Sequence, residues 1–151
     1  VLVNIGAGDA GLDDPLSGIL ANFASSGRPW RGVFFEAIPE NCERATGRLQ
    51  SLGNVRLECG YVTPDTVVSA LCKELGSEEE APCSKSGFAG ERDRAVRIEV
   101  DAMSIDIDSY DCAVLREALL VVSPKLLVVE HAAFPPPIAV SAEFHPSFQR
   151  A

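Results

Sequence analysis

The sequence predicts an α/β domain, a three-layer α/β/α sandwich on a mostly parallel sheet. Three observations predict it. Short apolar runs recur at residues 1–5, 32–36, 54–58, 103–107 and 125–130. Segments whose apolar residues repeat at helical spacing separate these runs. Most of the runs are apolar throughout rather than alternating, as in strands covered on both faces. Five strands separated by four helices make a parallel sheet through right-handed crossovers.

Val1 to Ile5 is the first strand, closed by glycines. A helix over residues 15–25 follows, with Asp13 or Asp14 as cap, Pro15 at its first position and Leu16, Ile19, Leu20 and Phe23 on one face. Gly32 to Glu36 is the second strand, and Pro39 opens a helix whose Cys42, Ala45, Thr46 and Leu49 share a face. Asn54 to Glu58 is the third strand. Thr63 and Pro64 repeat the cap-plus-proline start, continued by Val67, Val68, Leu71, Cys72 and Leu75. Met103 to Ile107 is the fourth strand. Ser109 then caps a helix carrying Val114, Leu115, Ala118, Leu119 and Val122, which Pro124 ends. Lys125 to Glu130 is the fifth strand. Between the third helix and the fourth strand, residues 76–94 are polar and aperiodic, a surface excursion.

The 151 residues suit a single domain with one core, and 46% of them are hydrophobic, which argues against disorder. The net charge of -9, from 22 acidic and 13 basic residues, argues against nucleic acid and against an anionic membrane surface as partners. No apolar run approaches the roughly 20 residues that span a bilayer. Five dispersed cysteines without a CxxC pair read as reduced, mostly buried thiols, which tilts the compartment toward the cytoplasm. The chain opens directly on a strand, so the lack of a leader carries no information, and oligomeric state leaves no mark.

In an open parallel sheet, ligands bind beyond the carboxyl ends of the strands, at the point where strand order reverses. The first strand ends in Gly6-Ala7-Gly8-Asp9-Ala10-Gly11, whose glycines let the backbone turn sharply against a ligand. The second ends in Glu36, a carboxylate able to accept both hydroxyls of a ribose. The fourth ends in Asp106-Ile107-Asp108 and the fifth in Glu130-His131. A glycine loop followed by an acid on the next strand indicates an adenosine-containing cofactor. Read literally, GAGDAG is the dinucleotide fingerprint, so an NAD(P)-linked oxidoreductase is the alternative. A diphosphate, however, needs a helix opening directly on the loop. Here Leu12-Asp13-Asp14-Pro15 intervenes and sets two carboxylates where positive potential is required. A sulfonium cation tolerates them, which favours S-adenosylmethionine.

The segments VLVNIGAGDAG, VFFEAIPENCERA, MSIDIDSYDCAVLREAL and PKLLVVEH together resemble the FkbM-type methyltransferase family, most specifically in Phe35 to Asn41 and Ile105 to Asp111. The resemblance implies a class I, Rossmann-like S-adenosylmethionine-dependent enzyme that methylates oxygen. By it, Gly6, Ala7, Gly8 and neighbouring Asp9 would line the amino-acid end of the cofactor. Glu36 would hold the ribose, Ala37 and Ile38 would border the adenine, and Asp106 would stand between cofactor and acceptor. Asn4 takes the place of an acid usual on the first strand, and Ala10 breaks the usual glycine spacing. Two further strands usually follow the fifth; residues 131–151 are proline-rich and weakly periodic, so a fragment or a shortened member is expected. A degenerate, non-catalytic cofactor-binding module is the remaining alternative.

Methyl transfer to a hydroxyl needs alignment and a base. Asp108 and His131 are the candidate catalytic residues, on a small-molecule or sugar acceptor. A Mg²⁺ ion held by Asp106, Asp108, Glu130 and His131 is the metal-assisted variant. The plain reading of Asp108 and Asp111 is favourable charge at a helix start.

Overall fold

The computed structural model describes residues 1–76, 83, 97–107 and 110–129. These form one five-stranded sheet of β1 (Leu2–Ile5), β2 (Gly32–Glu36), β3 (Val55–Cys59), β4 (Ile98–Ile105) and β5 (Val122–Val129). The strand order is β3-β2-β1-β4-β5, and every neighbouring pair is parallel. Helices α1 (Ser17–Ser25), α2 (Pro39–Leu49), α3 (Val67–Leu75) and α4 (Asp111–Ala118) flank it. The fold is therefore α/β and Rossmann-like, as the alternation predicts.

β1 lies at the centre, Val3 pairing with Val33 on one side and Met103 on the other. Its residues alternate between two cores. Val3 and Ile5 join Val33, Phe35, Met103 and Ile105 beneath Val67 and Leu71 of α3 and Val114 and Ala118 of α4. On the opposite face Leu2 packs with Leu16, Ala102 and the apolar side of α1, and Phe34 packs with Ala45 and Leu49 of α2. Full burial of each large side chain is worth roughly 1.5–3 kcal/mol, so burial on both faces holds so short a strand in place.

Several local expectations are corrected, among them the fourth strand, which runs Ile98–Ile105 rather than Met103 to Ile107, and the third helix, which opens at Val67 with Thr63 and Pro64 ahead of it. α1 begins at Ser17, leaving Pro15 outside, because an Asp14 carboxylate oxygen accepts the Leu16 N–H at 2.7 Å and closes a turn first. α4 ends at Ala118, and Val122 and Pro124 belong to β5 rather than to that helix. β5 is an edge strand among the described residues, where a proline's missing N–H costs no ladder bond. The cysteines are paired. Cys42 of α2 bridges to Cys59 at the tip of β3, with Cα atoms 5.9 Å apart, and Cys72 of α3 bridges to Cys83 at 5.4 Å. The crossover that lays α2 back along β3 brings together two cysteines that no short motif links. Cys112 alone is free. The thiol argument for a cytoplasmic location thereby loses its basis. None of the described helices is long and apolar enough to cross a membrane. Of the polar excursion at 76–94, all but Gly76 and Cys83 lies outside the described residues.

Candidate active site at the carboxyl ends of β1, β2 and β4

The chain runs from β1 outward to β3, then returns to the other side of β1 to lay down β4. The strand order reverses between β1 and β4, and the crevice beyond their carboxyl ends is the expected ligand site. Gly6 leaves β1 with φ +84°, and a Cβ there would lie 1.7 Å from the carbonyl oxygen of Asp106. Only glycine lets the loop pass this close to the end of β4. The N–H groups of Gly6 and Ala7 both donate to the Phe35 carbonyl, at 2.9 and 3.0 Å, so the loop is pinned between the tips of β2 and β4.

Glu36 closes the arrangement from β2. It is 4% exposed. One carboxylate oxygen accepts the Gly8 N–H at 2.7 Å and the other accepts the Ile38 N–H at 2.7 Å. These charge-assisted bonds offset the cost of burying the carboxylate and leave each oxygen a further lone pair. Gly8 has φ +54° and open space where a Cβ would stand. Ile38, half exposed, and Ala37 follow Glu36 at the mouth of the site. Asp9 turns away toward α2, its carboxylate 2.6 Å from the guanidinium of Arg48, which also donates to the Asp9 carbonyl at 2.9 Å. Ala10, with φ 53°, holds a left-handed conformation that glycine would adopt without strain.

Beneath the loop lies a buried polar cluster. The Asn4 side-chain amide donates to the second Asp14 carboxylate oxygen at 2.6 Å. Asp14, half-buried, has its pKa raised above 3.8, chiefly by burial; the bonds from Leu16 and Asn4 oppose the rise, and nearby Asp106 and Asp9 add to it. Asn4 and Ser104 are register partners on β1 and β4, each 1% exposed. Asn4 Oδ1 and Ser104 Oγ have no hydrogen-bond partner in the described structure. An unsatisfied buried polar atom costs about 1–3 kcal/mol, so a pair of them beside two carboxylates is a feature to explain.

Asp106 follows β4, its N–H donating to the Ile5 carbonyl at 2.9 Å. The structure thus brings Asn4, Gly6, Ala7, Gly8, Glu36, Ala37, Ile38 and Asp106 to one end of the sheet, while Asp9 serves as an anchor on α2. Asp108, His131 and Glu130 lie outside the described residues. Asp111, in the first turn of α4, accepts the Ile107 N–H at 2.9 Å, in keeping with the helix-start reading. Of the four residues named for Mg²⁺ only Asp106 is described, and no group of three or more metal-ligating side chains is found among the described residues.

Gly6 leaves room only for backbone, Glu36 offers free lone pairs, and the orphaned Asn4 and Ser104 atoms await partners. Two contributors escaped sequence reasoning. Ser104 sits mid-strand, and only its register with Asn4 marks it. The segment after β3 was open to the strand-end rule: the Gly60 N–H donates to the Glu36 carbonyl at 2.9 Å, while Gly60, Tyr61 and Val62, with Ser69 and Lys73 of α3, line a separate hollow of about 290 Å³ that none of Gly6, Gly8, Glu36 or Asp106 borders.

No protein-family model matches the chain. A stretch of 82 residues is similar to Peroxidase 1 of Zea mays at 30% identity, covering 52% of this chain and 21% of that protein. The likeness is local, the chain spans only about a fifth of that relative's length, and it assigns no residue of the site.

Proposed function

We propose that this chain is an S-adenosylmethionine-dependent methyltransferase acting on a hydroxyl oxygen of a small molecule or sugar. The observation that carries the reading is the acidic approach to α1. A dinucleotide would lay its diphosphate on free amides at that helix end. Here Asp14 holds the Leu16 N–H just ahead of the helix, and the carboxylates of Asp14 and Asp106 set negative potential around the loop, while Asp9 is paired with Arg48. An anion is repelled from such a site and a cationic ligand is drawn to it.

Glu36 takes the ribose hydroxyls on its remaining lone pairs, and exposed Ile38, whose N–H the same carboxylate holds, offers an apolar wall beside it. The cofactor would supply an electrophilic methyl carbon on sulfur. The chain's own part is to hold the acceptor oxygen in line and remove its proton. Asp108 and His131 are the proposed bases, and a Mg²⁺ ion at Asp106 and its neighbours is the metal-assisted form of the same step.

Calorimetric titration of the full chain with S-adenosylhomocysteine and with NAD tests this. S-adenosylhomocysteine should bind and NAD should not. Glu36→Gln, which keeps one backbone hydrogen bond, should weaken binding about tenfold, equivalent to roughly 1.4 kcal/mol. Glu36→Ala should abolish it. Binding of NAD instead would sink the reading, and a folded chain that binds neither would favour the non-catalytic module.

A further inference from the structure

The buried polar cluster beneath the glycine loop has acceptors to spare. Asp14 presents a carboxylate held in place by Asn4 and Leu16. Asn4 Oδ1 is an acceptor without a donor, and Ser104 Oγ beside it in register is equally free. Both residues are almost wholly buried. Asp106 adds a second carboxylate close enough to act on Asp14. No lysine or arginine forms an ion pair with Asp14 or Asp106 among the described residues. A group with several N–H donors and a positive charge satisfies this set, and a primary ammonium has three such donors.

We propose that Asp14, positioned by Asn4 and assisted by Ser104, receives the α-ammonium of the cofactor's amino-acid arm. The inference rests on the methyltransferase reading and deepens it. Asn4 keeps its place because its amide is the tether that aims the carboxylate.

The test compares three probes on the full chain by calorimetry. S-adenosylmethionine and S-adenosylhomocysteine both carry the ammonium arm, whereas 5′-methylthioadenosine keeps the adenosine and thioether without it. Asp14→Asn is nearly isosteric and keeps the bond from Leu16 on its carbonyl oxygen, while giving up the one from Asn4. It should weaken the two arm-bearing ligands alike, by about tenfold, and leave 5′-methylthioadenosine unchanged. Ser104→Ala, which leaves the cap intact, should act in the same direction and serves if Asp14→Asn does not fold. Equal weakening of all three probes would mean that Asp14 only shapes the loop, and that overturns the proposal. Unchanged binding of all three overturns it too, yet leaves the methyltransferase reading standing. If the wild-type chain binds none of them, both fall together.

Discussion

The Asn4 side-chain amide donates to the Asp14 carboxylate across 2.6 Å, tying the centre of the sheet to the start of α1. Burial raises the Asp14 pKa above 3.8, more than its two hydrogen bonds lower it. A carboxyl whose folded pKa exceeds its unfolded one is neutral in both states at low pH and contributes nothing there. As pH rises from about 3.8 through the folded value, the fold loses stability to it. Asp14→Asn removes that dependence. Urea denaturation of both proteins between pH 3 and pH 7 should show the variant gaining on the wild type as pH rises. A difference that stays flat across that range would contradict the assignment.

Gly6 and Gly8 both have positive φ, yet they should respond differently to alanine. At Gly6 the new methyl group meets the Asp106 backbone at 1.7 Å. Neither strand tip can yield without breaking the pairing, so a loss of roughly 3 kcal/mol or more is expected. At Gly8 there is open space, and only the left-handed strain of about 1–2 kcal/mol applies. Chemical denaturation of the two variants side by side distinguishes them.

Ala10→Gly should stabilise the chain. Relief of the strain at φ 53° outweighs the greater freedom of an unfolded glycine by roughly 0.5 kcal/mol. A lower denaturation midpoint than wild type would show that the strain is absorbed elsewhere in the loop.

Cysteine chemistry gives a direct check on the bridges. Thiol titration of the denatured, unreduced chain should find one reactive thiol, Cys112, and five after reduction. Loss of Cys42–Cys59, whose partners are 17 residues apart, should cost about 3 kcal/mol by the loop-closure estimate. Such bridges persist in oxidising compartments, so a titration finding five free thiols at the outset would restore the reduced reading.

The fold was legible because burial writes itself into periodicity. β1, β2, α2 and β3 lie close to where apolar spacing and the Pro39 start put them. Pro124 misled because proline ends a helix and is equally at home on an edge strand, and only the assembled sheet distinguishes the two. The strand-end rule put Gly6, Glu36 and Asp106 at one end of the sheet, where they lie. It missed the partnership of Asn4 with Asp14 and with Ser104, since neither helical nor strand spacing relates those positions. The disulfides were hidden for the same reason.

The place of β1 at the centre of the sheet also bears on how the chain reaches its native state. Val3 meets Val33 soon after both have emerged from the ribosome, but its other neighbour, Met103, is synthesised much later. Until β4 arrives, one edge of β1 presents unpaired N–H and carbonyl groups and apolar side chains. Distant pairings of this kind slow folding and prolong exposure to other nascent chains. Cys42 and Cys59 both belong to the early half. Their oxidation would secure the β2–α2–β3 crossover while the second half of the sheet is still being made.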